Sequence, residues 1–263
     1  MNLSSNKKYG ITVVTVVRNG ERYLERTILS VLDQANNSIE LIIIDGNSSD
    51  GTLDIIKRYD NKIAYWSSEP DQGIYDAMNK GVDHATGDWI IFLNAGDAFA
   101  DAQVLSRLMP ELNDTVDVLY GRHEEVFSER ASRQPALGNV KDLWKGMVFC
   151  HQSMVVRTTI MKRSKFNIQN SISADFEFIA SLHSQQQRFS SLDMVISRVL
   201  ADGYSSLNNL AMIREQWLIS KRFFGHTFTV DAYYSASLLS VYLKNIVKKC
   251  LPRNIANYLR SKH

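Results

Sequence analysis

Cysteine and proline are scarce, with two of the first and four of the second in 263 residues. Cys150 and Cys250 cannot build a disulfide framework, which excludes the stapled secreted scaffolds. No internal repeat or low-complexity tract is present. No uncharged apolar stretch reaches the roughly 18 residues that a membrane-spanning helix needs. Met1 to Gly10 is polar and carries no apolar leader segment, so a cytosolic protein is expected. An excess of either charge is also missing: 30 basic and 28 acidic residues leave +2, too balanced for a general nucleic-acid binder, and no nucleic-acid partner is predicted. The balance fails locally. After Asp231 there is no acidic residue, while Lys244, Lys248, Lys249, Arg253, Arg260 and Lys262 follow.

What remains is a 44% hydrophobic, 22% charged chain, the composition of a globular protein, long enough for one α/β domain with an appendage. Ile11 to Val17 is β-branched throughout, as in a strand covered on both faces. Tyr23, Leu24, Thr27, Ile28, Val31 and Leu32 then recur at helical spacing. Leu41 to Ile44 is a second buried strand. It ends in Asp45-Gly46-Asn47-Ser48-Ser49-Asp50-Gly51, where Ser48 or Ser49 is expected to cap the next helix. Ile63 to Trp66 reads as a third strand, Ile74 to Ala85 as a helix, and Trp89 to Leu93 as a fourth strand closed by Asn94-Ala95-Gly96-Asp97.

Strands alternating with helices at this spacing predict parallel βαβ units with right-handed crossovers. Asp45, Asp71 and Asp97 then share the carboxyl rim of one sheet, where open α/β sheets bind ligands. A carboxylate at the mouth of a sheet is placed to hold a metal ion or a substrate hydroxyl, although Asn, Gly and Asp are also ordinary turn residues. The first turn, Arg18-Asn19-Gly20-Glu21-Arg22, lacks the glycines of a dinucleotide fold, and no Walker-type loop exists. Such a turn suits a base and ribose better than a pyrophosphate. The pyrophosphate then needs a cation, which gives Asp97 its purpose.

Thr15-Val16-Val17-Arg18-Asn19, Ser30-Val31-Leu32-Asp33-Gln34, Ile44 to Thr52, and Gly87-Asp88 to Asp97 together resemble a family 2 glycosyltransferase of the GT-A fold. The run Ser68 to Gly81 is similar to the bacterial O-antigen and capsule polysaccharide branch. Three positions depart from the family pattern. Arg18 replaces an aromatic residue, Gly46 replaces a second acid, and Asn94 to Asp97 keeps only the last carboxylate of the metal motif.

The resemblance implies a mostly parallel nucleotide-binding sheet flanked by helices, with a C-terminal helical appendage. Residues 1–225 would form the GT-A domain, split into a nucleotide-sugar half (1–100) and an acceptor half (101–225), with 226–263 a basic amphipathic segment. It implies donor contacts at Val16, Arg18, Asp45, Asp71 and Asn94, and a divalent metal, Mn²⁺ or Mg²⁺, at Asp97.

In the second half, Val116 to Gly121 reads as a strand, Arg122 to Gly138 as an irregular segment where acceptor loops are expected, and Val195 to Leu200 as a further strand. His151, at the polar centre of Met147 to Arg157, is a candidate for holding an acceptor sugar or phosphate, with Gln152 beside it. Asp175 opens a helix carrying Phe178, Ile179 and Leu182. It reads either as an N-terminal capping acid or, by the resemblance, as the catalytic base, with Glu177 second and also on the acceptor side. Gly203-Tyr204-Ser205-Ser206 resembles the loop that closes over the donor diphosphate. Arg214-Glu215-Gln216-Trp217 has letters similar to the motif of processive synthases in the wrong order, so one sugar per encounter is expected.

The expected activity is inverting transfer of a hexose from a nucleoside diphosphate sugar, UDP favoured, to a polyprenyl-diphosphate-linked sugar. The setting would be O-antigen or capsule assembly, peripheral at the cytoplasmic face of a bacterial inner membrane. The amphipathic stretch from Tyr233 and the basic cluster after it suit a membrane surface, or else a helix packed on the core with a solvated face. Alternatives are a soluble or lipopolysaccharide-core acceptor, or nucleotide-sugar binding without catalysis.

Overall fold

A computed structural model of the chain describes residues 10–35, 38–128, 131–200 and 209–250. β1 (Ile11–Val17) is buried along its whole length. It pairs in parallel with β2 (Ile39–Asp45) on one side and β4 (Trp89–Phe92) on the other, and β2 pairs in parallel with β3 (Tyr65–Ser68). Three crossover helices connect them: α1 (Leu24–Leu32), α2 (Thr52–Arg58) and α3 (Ile74–His84). Alternate strand residues enter opposite layers, as a pleated strand requires. Val14, Val16, Ile42, Ile44, Ile90 and Phe92 pack with α3, whereas Val13, Val17, Leu41, Ile43 and Ile91 pack with α1 and α2. Gly81 lets α3 lie close on β1, since a Cβ there would fall 2.4 Å from Val14 Cγ1.

Beyond β4 the sheet becomes mixed. β4 is followed by β5 (Ala98–Phe99), α4 (Val104–Leu108), β6 (Val118–Ser128), β7 (Ala131–Arg133), β8 (Met154–Arg157), α5 (Thr158–Arg163), α6 (Ala174–Ser184) and β9 (Phe189–Leu200). The order across the nine-stranded sheet is β3-β2-β1-β4-β8-β6-β9-β5, with β7 paired to β6. β4 and β8 are antiparallel, with Trp89 opposite Arg157 and Ile91 opposite Val155. The chain entering β8 therefore arrives at the same rim at which β4 ends.

The chain finishes with two helices, α7 (Asn209–Phe224) and α8 (Phe228–Cys250), joined at Gly225, whose φ of 90° lies in the left-handed region. Among the described residues no helix is long and apolar enough to cross a membrane.

Several local expectations shift. The third strand is Tyr65–Ser68, two residues later than its apolar run, because pairing with β2 from Ile42 to Asp45 sets its limits. Ser48 and Ser49 do not cap α2, which starts after Gly51 without a side-chain cap. The segment after Gly121 is not irregular at first. β6 runs on to Ser128 and is paired to β9 through Leu200, with register shifts near Arg122 that blur any periodicity. Residues 201–206, including the expected diphosphate loop, lie outside the described residues.

Candidate active site

The site is built from turns at the carboxyl rim of β1 to β4. Asn19, at φ 52°, donates its N–H to Ser48 Oγ at 2.7 Å, and its side chain accepts from Ser49 N at 2.9 Å, which joins the first turn to the second. Ser48 Oγ in turn donates to Asp45, which also accepts from Ser48 N at 2.9 Å and Ser68 Oγ at 2.6 Å. Asp45 has no exposed surface. Its carboxylate organises the rim from beneath. Val16 is likewise buried, with its carbonyl accepting from Ala95 N at 3.1 Å. Arg18 is exposed. Gly46 lies between Arg18 and Asp71, and a Cβ built on it would fall 2.3 Å from Asp71 Oδ2. The missing side chain at Gly46 thus lets the Asp71 carboxylate approach the end of β2.

Asp97 is 5% exposed. Its Oδ2 accepts from Asn94 N and Gln152 Nε2, each at 3.2 Å, while Oδ1 receives only a 3.4 Å contact from Leu200 N. Burial pushes its pKa up to about 6, against the opposing pull of His151 and the Gln152 hydrogen bond. The turn is closed by Gly96 at φ 102° and by Thr27, whose hydroxyl donates to Asp97 O at 2.7 Å and accepts from Gly96 N at 2.9 Å.

Asp175 stands in the first turn of α6. Its Oδ2 lies 2.8 Å from His151 Nδ1, and its Oδ1 accepts from Phe176 N at 2.8 Å and the Tyr75 hydroxyl at 3.1 Å. Burial alone would raise its pKa. The hydrogen bond and charge of His151, with the Phe176 and Tyr75 donors, outweigh that and hold it below the ordinary carboxylate value. Tyr75 moves the opposite way, well above the phenol value, through burial and the neighbouring Asp175 charge.

His151 and Gln152 occupy the short 3₁₀ turn His151–Ser153 that leads into β8, so one turn reaches both acids, His151 at Asp175 and Gln152 at Asp97. Cys150, just before them, is half-buried, and loss of solvation raises its thiol pKa well above the usual value. Glu177 is not brought to this cluster. It accepts from Asn167 at 2.9 Å, Asn170 at 2.5 Å and Arg222 at 2.7 Å. Residues two apart on a helix face away from one another, so Asp175 and Glu177 cannot serve one point.

Three His, Cys, Asp or Glu side chains do not converge on one point among the described residues. The rim nevertheless fits a divalent cation that brings water or phosphate oxygens with it. Asp97 Oδ1 is nearly free, and Asn94 Oδ1 and His151 Nε2 are both buried without a hydrogen-bond partner. A carboxylate and an amide carbonyl are the oxygen donors that suit Mn²⁺ or Mg²⁺. A crevice of about 670 Å³ bordered by Trp89, Arg157, Thr158 and Lys162 lies at the opposite rim, and none of the site residues named above borders it.

Parallel βαβ units extended by antiparallel strands, with a site at the carboxyl rim, match the GT-A type of glycosyltransferase fold. The mannosyltransferase PcManGT from Pyrobaculum calidifontis, solved with GDP-Man and Mn²⁺, superposes with a TM-score of 0.68 at 16% identity, covering 97% of this chain and 79% of that one. Staphylococcus aureus TarS 1–349 with UDP superposes at 0.66 and 17% identity, covering 93% of this chain and 76% of that one. Against a longer TarS chain the likeness covers 87% of this chain but 43% of that one.

The model of the family Glycosyl transferase family 2 matches residues 12–179, and the chain belongs to that family. An uncharacterized glycosyltransferase of Mycobacterium tuberculosis (strain ATCC 25618 / H37Rv) is 33% identical over 176 residues, covering 64% of this chain and 67% of the relative. A PGL/p-HBAD biosynthesis glycosyltransferase of Mycobacterium bovis (strain BCG / Pasteur 1173P2) is 30% identical over 155 residues, covering 57% and 60%. The protein is a family 2 glycosyltransferase.

Proposed function

We propose that this chain transfers a hexose, with inversion and one residue at a time, from a UDP-sugar to a sugar carried on a polyprenyl diphosphate, in O-antigen or capsular polysaccharide assembly. The observation that carries this reading is the pairing of Asp175 with His151 on the rim that also holds Asp97. Residues 1–100 serve the donor and 101–225 the acceptor. Asp71 and the turns held by Asp45 and Asn19 receive the base and ribose, with Arg18 and Asn94 alongside. Asp97 and Asn94, with His151 beside them, would hold a divalent cation through their oxygens, which when bound supplies positive charge to the departing diphosphate.

Asp175 takes the proton of the acceptor hydroxyl as its oxygen attacks the anomeric carbon from the face opposite the diphosphate. The bond from that carbon to the diphosphate oxygen breaks, and the leaving group keeps the electron pair. A carboxylate already ionised and held by three donors loses no time to reorientation, and bringing two reactants together in that geometry supplies much of the remaining rate.

The setting is the cytoplasmic face of the inner membrane. The basic residues after Asp231 support it, as does the exposed apolar row Leu239, Tyr242, Leu243 and Ile246 on α8. The mycobacterial relatives named for PGL/p-HBAD biosynthesis support a glycolipid setting. The test is nucleoside diphosphate release from UDP-, GDP- and dTDP-sugars with Mn²⁺, Mg²⁺ or EDTA, with and without a synthetic lipid-diphosphate sugar. Release that requires a UDP-hexose, metal and the lipid acceptor is the expected result. Release with a soluble sugar acceptor alone would remove the lipid from the reading.

A further inference from the structure

The segment Arg214-Glu215-Gln216-Trp217 has no part in the reaction described so far, yet Glu215 is joined to the start of α6. An α-helix leaves its first N–H groups without internal partners, and an N-cap side chain or a glutamate at the third position usually satisfies them. Neither device operates at α6. The N-cap Ser173 makes no side-chain cap bond and its buried hydroxyl has no partner, and the third position is Phe176. Instead Glu215 Oε2, from α7, accepts from Ser173 N at 2.9 Å and Ile172 N at 3.3 Å.

The same peptide is gripped from its other side. Tyr75 shares its one hydroxyl proton between Ile172 O at 2.9 Å and Asp175 Oδ1 at 3.1 Å. Two turns along α7 from Glu215, Arg222 holds Glu177 of α6 at 2.7 Å. Entry into α6 is therefore fixed by a charged acceptor on one side and a phenol on the other, two residues before Asp175. A charge-assisted bond to backbone N–H is among the stronger restraints available there.

We infer that Glu215 is a positioning residue for Asp175: without touching any reactant, it sets where the first turn of α6 begins and so where the base points. This rests on the role given to Asp175 above. A shift of about 1 Å in a reacting group lowers turnover by roughly a hundredfold.

The test compares Glu215→Ala, Glu215→Gln and Asp175→Asn in the intact chain. It measures kcat and KM with UDP-hexose and the lipid-diphosphate acceptor, binding of UDP with Mn²⁺ by calorimetry, and thermal melting. Glu215→Ala is expected to lose about tenfold to a hundredfold in kcat, with the Kd for UDP unchanged. Glu215→Gln, whose amide oxygen accepts from the same two N–H groups, is expected to recover most of that turnover. Wild-type kcat in Glu215→Ala, or equal losses of turnover and UDP binding, would overturn the inference. So would Glu215→Gln as impaired as Glu215→Ala, since a lost acceptor would then not be the cause. Asp175→Asn separates the two levels: if it keeps full turnover, the base assignment itself is wrong, whereas its inactivity beside a fully active Glu215→Ala overturns only the role of Glu215.

Discussion

His151 Nδ1 and Asp175 Oδ2 lie 2.8 Å apart, although 24 residues separate them and they stand on different elements, a 3₁₀ turn and the first turn of α6. With Asp175 held ionised, Nδ1 is the donor, and His151 Nε2 is left as the second, unpartnered nitrogen.

Asp175→Asn should abolish transfer, lowering kcat by about a hundredfold or more, while UDP binding is retained. Because the Asp175 pKa is held below the ordinary carboxylate value, the base is ionised throughout the neutral range. The pH profile of kcat should therefore show no loss assignable to Asp175 between about pH 5 and 8. Loss of UDP binding together with transfer in Asp175→Asn would count against its role.

Asp97 carries the opposite sign. Burial raises its pKa from 3.8 to about 6 in the folded chain, so its charge destabilises the fold increasingly as pH climbs from about 4 to about 6, and fully above that. Asp97→Asn should melt a few degrees higher than the parent at pH 7.5 in EDTA, with the difference closing toward pH 4. It should also abolish Mn²⁺ binding. In the parent, Mn²⁺ affinity measured by electron paramagnetic resonance should fall about tenfold per pH unit below pH 6, as protons compete for the carboxylate. Affinity that stays flat between pH 5 and 7 would remove the cation from Asp97.

At the far end of the sheet Asp117 grips Arg188 with both oxygens, at 2.7 Å to Nη2 and 2.8 Å to Nε, and also accepts from Arg188 N at 3.0 Å. Arg188 holds the Asp117 pKa down to about 2 from 3.8. The stabilisation is then full above about pH 4 and is lost as pH falls toward 2. Asp117→Asn should cost on the order of 1 kcal/mol at pH 7, allowing for the solvent around Arg188. Denaturant melts of the two proteins should converge near pH 2, and a constant gap across pH 2–7 would contradict the ion pair as the cause.

Gly87 precedes β4, with its N–H donating to Thr12 Oγ1 at 3.0 Å. A Cβ there would fall 2.8 Å from Thr12 N and 3.0 Å from Ile11 C, backbone atoms that cannot swing aside. Gly87→Ala should therefore destabilise the chain by about 1–3 kcal/mol, read as a lower denaturant midpoint with unchanged slope. Because the change lies at the rim opposite Asp97, UDP binding by the folded fraction should survive.

The first half of this chain is legible because strand, helix and turn each carry a local signal. The β-branched run Ile11 to Val17, the apolar stretches of β2 and β4 and the polar turns after them place Asp45, Asp71 and Asp97 on one rim without reference to distant residues. The second half is harder to read because its contacts are long-range. β6 and β9 extend past their apolar cores by pairing with each other, and Glu215 finds Ser173 from 42 residues away. No spacing rule reports such a bond. Spacing did carry information at Asp175 and Glu177: a two-residue step on a helix separates their directions, which explains why Glu177 reaches Arg222 and not His151.

Because β8 runs against β4, the strand that delivers Asp97 is met at the rim by a turn made 55 residues later. During synthesis Asp45, Asp71 and Asp97 leave the ribosome well before His151 and Asp175. A chain stopped before residue 151 therefore lacks both members of the His151 and Asp175 pair. Antiparallel insertion of β8 thus links Asp97 and Asp175 through one turn, and the two acids share that rim only once β8 has joined the sheet.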